Sequence, residues 1–159
     1  MAPLLDDARL HRYTGGRPST LAELQARYRR QSLGRSPDGR QRWLNWIVRR
    51  RQDGAAVGFV QATVDAEPPV MTAELAWKIG VAYQRQGYAG EAAARMVQWL
   101  RAQGVERLVA RIHPDNVASM AVARGLGLAS TGQLRAAEMV WSSSPRVDRH
   151  QPAPSGRDA

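Results

Sequence analysis

Three stretches of the chain carry side chains whose types and spacing suit chemistry. The first is Gln84-Arg85-Gln86-Gly87-Tyr88-Ala89-Gly90, a polar loop with two glycines that opens directly into a helix-like pattern. A helix N-terminus exposes N–H groups that have no intrahelical acceptor, and it carries the positive end of the macrodipole. Small residues there let an anion approach the backbone. No Gly-Lys-Ser/Thr follows, so this is not a Walker loop, and the glycine spacing is wrong for the dinucleotide fingerprint. The same residues also suit a plain tight corner. The second stretch is TAELAWKIGVA, Thr72 to Ala82, in which Glu74 is the only acidic side chain. Burial in an apolar strand pushes a carboxyl up toward neutrality. The third is HPDNVASM, where Asn116 has the residue type and place of a helix N-cap. His113 and Asp115 are metal-ligand types, but no third ligand accompanies them, and no metal site is expected.

The surrounding pattern supplies a frame for these residues. Residues Met1 to Arg17 read as irregular, with Gly15-Gly16 as a breaker. PSTLAELQARYRR predicts a helix capped by Ser19 or Thr20, with Glu23 in its first turn and Leu21, Leu24 and Tyr28 on one face. RWLNWIVRR and AAVGFVQATV predict two strands joined by a hairpin at Asp53-Gly54. TAELAWKIGVA predicts a third, with Glu74, Ala76 and Lys78 alternating against Leu75, Trp77 and Ile79. A helix from about Gly90 to Gln103 follows, with Ala89, Ala93, Met96, Val97 and Leu100 on its apolar face and Gly104 as its stop. RLVARI is a fourth strand, VASMAVARG a short helix, and weaker strands follow near Leu128–Gly132 and Glu138–Trp141. From Ser142 onward the Ser, Pro, Arg and Asp content predicts a disordered tail, which leaves residues 1–141 as one domain. The order predicts an α/β (α+β) sheet with antiparallel hairpins first and a crossover unit in its second half.

Composition narrows the class. A chain of 159 residues with 43% hydrophobic content suits a single globular domain. No run is long enough to cross a membrane. The opening MAPLLDDARLHRY lacks the basic start and apolar core of a signal peptide, so a cytoplasmic protein is expected. Cysteine is absent, which excludes disulfides and thiolate metal sites. The net charge of +9 is almost entirely arginine, because Lys78 is the only lysine. Scattered arginines reflect compositional bias more simply than a nucleic-acid surface, and an acidic cofactor accounts for positive charge equally well.

Two of the three stretches resemble one family. Gln84 to Ala89 matches Gln/Arg-x-x-Gly-x-Gly/Ala, the pyrophosphate loop of the GNAT N-acetyltransferase superfamily. Gly90-Glu91-Ala92 resembles the branch that contains ribosomal-protein N-terminal acetyltransferases. HPDNVASMAVARGLGL is similar to that branch's second segment, Asn-x-x-Ser and then a short helix ending in a turn. The resemblance spans about Trp43 to Trp141 and implies a mostly antiparallel GNAT-like sheet with flanking helices. It implies that Gln84, Arg85 and the N–H groups of Gln86, Gly87, Tyr88, Ala89 and Gly90 hold the diphosphate of acetyl-coenzyme A. Asn116 and Ser119 flank its pantetheine arm, and a main-chain N–H between Ile79 and Val81 meets the acetyl oxygen.

The implied reaction is direct transfer of the acetyl group to a primary amine, on a small molecule, peptide or protein. Such a transfer needs a neutral amine, a held oxyanion and a leaving thiolate. Glu74 is the implied base. Ser119 is the implied acid, since the tyrosine that many members carry is missing from AVARGLGL; Tyr83 and Tyr88 are weaker candidates. Trp43 is a candidate for the acceptor pocket, while Trp46 and Trp77 read as core. The family's branch begins with an extra strand and helix before the segment that DDARLHRYTGGRPSTLAEL resembles. Either the first strand is missing or a partner supplies it; its loss would leave RWLNWIV a bare edge, which favours a homodimer or an impaired enzyme. A non-catalytic acyl-coenzyme A module and an arginine-driven nucleic-acid binder are the competing readings. Amine turnover separates the first from the enzyme, and salt-resistant binding of RNA or DNA would single out the second.

Overall fold

A computed structural model describes residues 20–65 and 69–143. Its first helix, α1 (Leu21–Ser32), opens on a reciprocal cap. The Thr20 N–H donates to Glu23 Oε2 at 2.8 Å, and the Glu23 N–H donates to Thr20 Oγ1 at 3.3 Å. Two donors that the helix cannot satisfy are thereby paired. Ser19 and the side chains of Leu21, Leu24 and Tyr28 lie outside the described set.

Strands β1 (Gln41–Arg49), β2 (Ala56–Asp65) and β3 (Thr72–Ile79) form an antiparallel meander. Helix α2 (Tyr88–Ala102) then crosses to β4 (Arg107–Ile112), which lies parallel to β3. After α3 (Val117–Gly125), strands β5 (Ala129–Arg135) and β6 (Glu138–Ser142) complete the sheet in the order β1-β2-β3-β4-β6-β5. β3–β4 is the single parallel pair among them, joined by the α2 crossover; the α3 crossover leads to β5, which β6 separates from β4. This is the mixed, mostly antiparallel sheet that the sequence predicts.

Alternation sets which side chains are buried. Val60, Ala62 and Val64 of β2, Ala73 and Leu75 of β3, and Leu108, Ala110 and Ile112 of β4 line one face. They meet Met96 and Leu100 of α2, Ala123 of α3, Leu128 and Trp141. Burying a leucine as fully as Leu100 or Leu108 contributes roughly 1.5–3 kcal/mol. Trp46 and Trp77 pack against this cluster, which agrees with their reading as core. Among the described residues no helix is long and apolar enough to cross a membrane.

Several boundaries differ from the sequence reading, including the end of β5, at Arg135 instead of Gly132. The third strand stops at Ile79 instead of Ala82, because Val81–Tyr83 coil into a 3₁₀ turn in which the Tyr83 N–H bonds Gly80 O at 2.8 Å. α2 begins at Tyr88 instead of Gly90, with Gly87 as its N-cap. Order also runs past the expected start of the tail. Ser142 belongs to β6, and the buried Ser143 accepts the Leu108 N–H on its hydroxyl at 3.0 Å. Among the described residues β1 is an edge strand, and only its first residues are covered: the Trp43 N–H bonds Gly34 O at 2.8 Å. The segment that decides whether a strand precedes it lies outside the described residues.

β2 carries a bulge. Its register with β1 steps from Val48↔Gly58 to Arg49↔Ala56, so Val57 is the extra residue. Gly58 faces Ile79 so closely that a Cβ there would lie 2.3 Å from Lys78 O and 2.9 Å from Ile79 Cα. Gly58→Ala is expected to force β2 and β3 apart at this end and to cost about 1–3 kcal/mol, the usual range for overpacking. Thermal unfolding of the variant checks this; an unchanged midpoint would show that the strands separate freely here.

Candidate functional site

The parallel pairing of β3 and β4 ends at Leu75↔Ala110. Beyond it β3 stays with β2, through Lys78↔Phe59 and Ile79↔Gly58, while β4 stays with β6, through Arg111↔Val140 and Ile112↔Met139. The two middle strands therefore diverge. Antiparallel ladders alternate the direction of their main-chain groups. The Gly80 N–H faces β2, and Met71 O accepts the Glu106 N–H from the β4 side at 2.9 Å. Odd-numbered residues of β3 thus turn toward β4, and the N–H groups of Trp77 and Ile79 face the opening. Within the range Ile79 to Val81 that the sequence indicated, Ile79 fits this geometry. Gly80 does not, because its N–H is committed to Val57. Val81 sits half-buried in the 3₁₀ turn. Trp77 is a further candidate that the sequence reading missed.

The loop after β3 is braced from within. Gln84 Nε2 donates to Ile79 O at 3.0 Å, and Gln86 Nε2 donates to Ala82 O at 3.2 Å. Arg85, exposed, has φ 61°, and Gly87 has φ 85°. Gly87 therefore needs its missing Cβ for conformation, and no protein atom lies within 4 Å of where that Cβ would be. The first intrahelical bond is Glu91 N–H to Gly87 O at 3.0 Å. The N–H groups of Gly87, Tyr88, Ala89 and Gly90 precede it and form the donor cluster of the α2 N-terminus, with no side-chain cap. Gln84 and Arg85 are both exposed, and Gln84 Nε2 ties the loop back to the strand end.

α3 brings the second group to the same end of the sheet, because it follows β4 as α2 follows β3. Asn116 is its N-cap, and its Oδ1 accepts the Ser119 N–H at 3.1 Å. The Ser119 hydroxyl in turn accepts the Trp77 indole N–H at 3.3 Å, a contact that spans the diverging strands. His113 and Asp115 are used locally: the Asp115 N–H meets His113 Nδ1 at 3.2 Å in the β4–α3 turn. No group of three His, Cys, Asp or Glu side chains among the described residues is placed to hold a metal ion.

Glu74 is on the face of the sheet opposite the core. The register puts Trp43, Thr63, Glu74 and Val109 in one row across β1 to β4. Trp43 and Glu74 are two strand spacings apart, about 10 Å. The desolvated setting that the strand sequence suggested for Glu74 is absent. Its side chain is 43% exposed and paired with Arg111, whose Nε and Nη2 reach Glu74 Oε1 at 2.7 and 2.6 Å. Arg111 escaped the sequence reading because a half-buried strand alternates faces, and nothing local marks which cation on β4 will meet a carboxylate on β3.

The family model described as the acetyltransferase (GNAT) domain matches residues 1–129. The chain belongs to the GNAT acetyltransferase domain family. Solved structures agree in fold. A spermidine N-acetyltransferase from Vibrio cholerae, in complex with coenzyme A and spermine, has a TM-score of 0.69 at 16% identity over 89% of this chain and 84% of that one. An aminoglycoside acetyltransferase in complex with coenzyme A has a TM-score of 0.68 at 14% identity, over 91% and 87%. A candidate ribosomal-protein-serine acetyltransferase from Vibrio cholerae has a TM-score of 0.59 at 25% identity, over 79% and 76%. No curated protein matches the chain.

In this GNAT domain the β1–β2 hairpin touches the loop through Arg50. The Arg50 guanidinium lies 5.4 Å from the Tyr83 ring centroid and pairs with Asp53 through Nε–Oδ1 at 3.0 Å. Arg50, and next the Ala55 N–H, hold the Asp53 carboxyl at about 2, below its ordinary 3.8. A depressed carboxyl stabilises the fold above its ordinary value and ceases to do so as pH falls through the depressed one. The stability difference between the wild type and Asp53→Asn is therefore expected to be constant above about pH 5 and to close toward pH 2. Thermal melts across that range check it, and a gap as large at pH 2 as at pH 5 would contradict the pair's role.

Proposed function

We propose that this GNAT domain transfers an acetyl group from acetyl-coenzyme A to a primary amine by direct attack in a ternary complex. The observation that carries the reading is the donor cluster at the α2 N-terminus, set beside an opening between two parallel strands. The amides of Gly87 to Gly90 and the charge of Arg85 hold the diphosphate. The opening takes the pantetheine arm, with Asn116 and Ser119 along its α3 side. The N–H of Trp77 or Ile79 binds the oxyanion as it develops. The coenzyme A found in two of the solved GNAT structures supports the assignment of the co-substrate.

The acceptor lies over the open face, where Trp43 and Glu74 share a row. Glu74 takes the amine proton, through a water if the amine sits near Trp77, since three residues of strand span about 10 Å. Both Arg111 contacts fall on Oε1, so Oε2 is the atom that faces the acceptor. Ser119 donates to the departing sulfur. The acceptor is a primary amine on a small molecule or a polypeptide. The solved relatives act on both kinds by name, and the open face, with Asn45 exposed and Gln61 half-buried next to this row, suits either.

Calorimetry with coenzyme A is expected to show binding, whereas adenosine without phosphate should give no heat. Gly87→Val should abolish binding, since a β-branched residue resists φ 85° and fills the approach to the amides. Binding that survives Gly87→Val would remove the loop from the site. A thiol-release assay over a panel of amines and free peptide N-termini tests the chemistry. Turnover should rise with pH as the acceptor loses its proton. Glu74→Gln should slow it roughly 10²–10⁴-fold with coenzyme A binding intact, the usual worth of one general base. Ser119→Ala should lose less, because water partly replaces a hydroxyl. Wild-type turnover in Glu74→Gln would reduce the Glu74–Arg111 pair to a structural contact, and silence across the panel would favour a non-catalytic coenzyme A module.

A further inference from the structure

We infer that Trp77 is a positioning residue for the transfer: its indole N–H occupies the acceptor side of the Ser119 hydroxyl and leaves that hydroxyl's single hydrogen for the departing sulfur. The inference rests on the proposed role of Ser119 as the group that meets the thiolate. An indole nitrogen is a donor only. In the 3.3 Å contact Ser119 Oγ therefore has to accept. A serine hydroxyl has one hydrogen and two lone pairs, so accepting from Trp77 fixes the oxygen in place without using the hydrogen. The Ser119 backbone is pinned independently, because its N–H is held by Asn116 Oδ1 at 3.1 Å.

Trp77 is also in the right place. It lies two residues beyond Leu75, where the β3–β4 pairing ends, and its half-buried ring packs against the core cluster. Its main-chain N–H faces the opening while its side chain crosses to the first turn of α3. The same residue thus lines the opening with its backbone and holds the α3 hydroxyl with its ring. Accepting a hydrogen bond polarises the O–H and makes it a stronger donor. The positive end of the α3 dipole favours the negative charge that develops on sulfur. When the tetrahedral intermediate collapses, the C–S bond breaks and its electron pair goes to sulfur. Sulfur takes the Ser119 hydrogen as a proton, Ser119 is reprotonated from water, and Glu74 returns the amine's proton to water. The net change is thioester plus amine to amide plus thiol.

The test is a double-mutant cycle read in the thiol-release assay with acetyl-coenzyme A. Trp77→Phe keeps an aromatic ring and removes the N–H. It is expected to lower kcat roughly 2- to 10-fold, the rate equivalent of one neutral hydrogen bond, and to leave the KM for acetyl-coenzyme A little changed. Made on top of Ser119→Ala, the same substitution should cost nothing further, because the hydroxyl it positions is gone. An equal loss in both backgrounds would show that Trp77 acts only by packing, and wild-type kcat in Trp77→Phe would show no role at all. If Ser119→Ala alone has wild-type kcat, the acid assignment falls and the inference falls with it. The contact itself has a readout that needs no Trp77 variant. The Trp77 indole N–H resonance should move upfield in Ser119→Ala, and an unmoved resonance would overturn the inference.

Discussion

The parting of β3 and β4 after Leu75 and Ala110 is the constraint on which the rest of the molecule depends. Neighbouring strands inside a sheet ordinarily pair all their main-chain groups, since unpaired ones are costly away from water. Here each strand keeps its outer partner and gives up the inner one. Gly80 anchors the end of β3 to the bulged Val57, and Met139 holds the end of β4 at Ile112. The absent side chain of Gly58 is what lets β2 follow β3 to this point. Because the two strands are parallel, the helices that follow them begin at the same end of the sheet, where open α/β sheets receive ligands. One topological choice thus puts the amides of α2, the cap of α3 and two strand amides around one opening.

The ion pair on the other face joins the same two strands. Glu74 comes from the last paired stretch of β3, and Arg111 from β4 just after pairing with β3 has ended. Both side chains are nearly half exposed, so their attraction is screened and stabilises the fold by only about 0.2–1 kcal/mol. A contact that weak does not hold the strands. What it does is fix Glu74 Oε1 against Arg111 at the margin of the strand opening.

Much of this was legible in the sequence, and for identifiable reasons. The α3 bounds and Asn116 as its cap follow from a polar cap residue ahead of a short apolar pattern. The crossover follows from a strand, helix, strand order, and the Thr20–Glu23 box from a spacing of three. Local rules reach such features because the interacting groups are close along the chain. What escaped depends on register. Arg111 meets Glu74 and Trp77 meets Ser119 across 37 and 42 positions of sequence, and no local pattern encodes which residues face each other after a crossover. The bond from Gln84 Nε2 to Ile79 O, which ties the loop motif back to the strand end, is likewise invisible to the motif itself. Ser143 looked like tail because serine carries no hydrophobic signal, although its hydroxyl completes the pairing of Leu108.

The central claim is that the α2 amides and the strand opening form one continuous site for an anionic, thioester-bearing ligand. Amide NMR during a titration with coenzyme A tests it most directly. The resonances of Gly87, Tyr88, Ala89 and Gly90 are predicted to shift together with those of Trp77, Ile79 and Ser119, along one saturating curve. Shifts confined to the α2 amides would reduce the site to an anion pocket. Shifts spread over the scattered arginines with these seven amides unmoved would contradict the account.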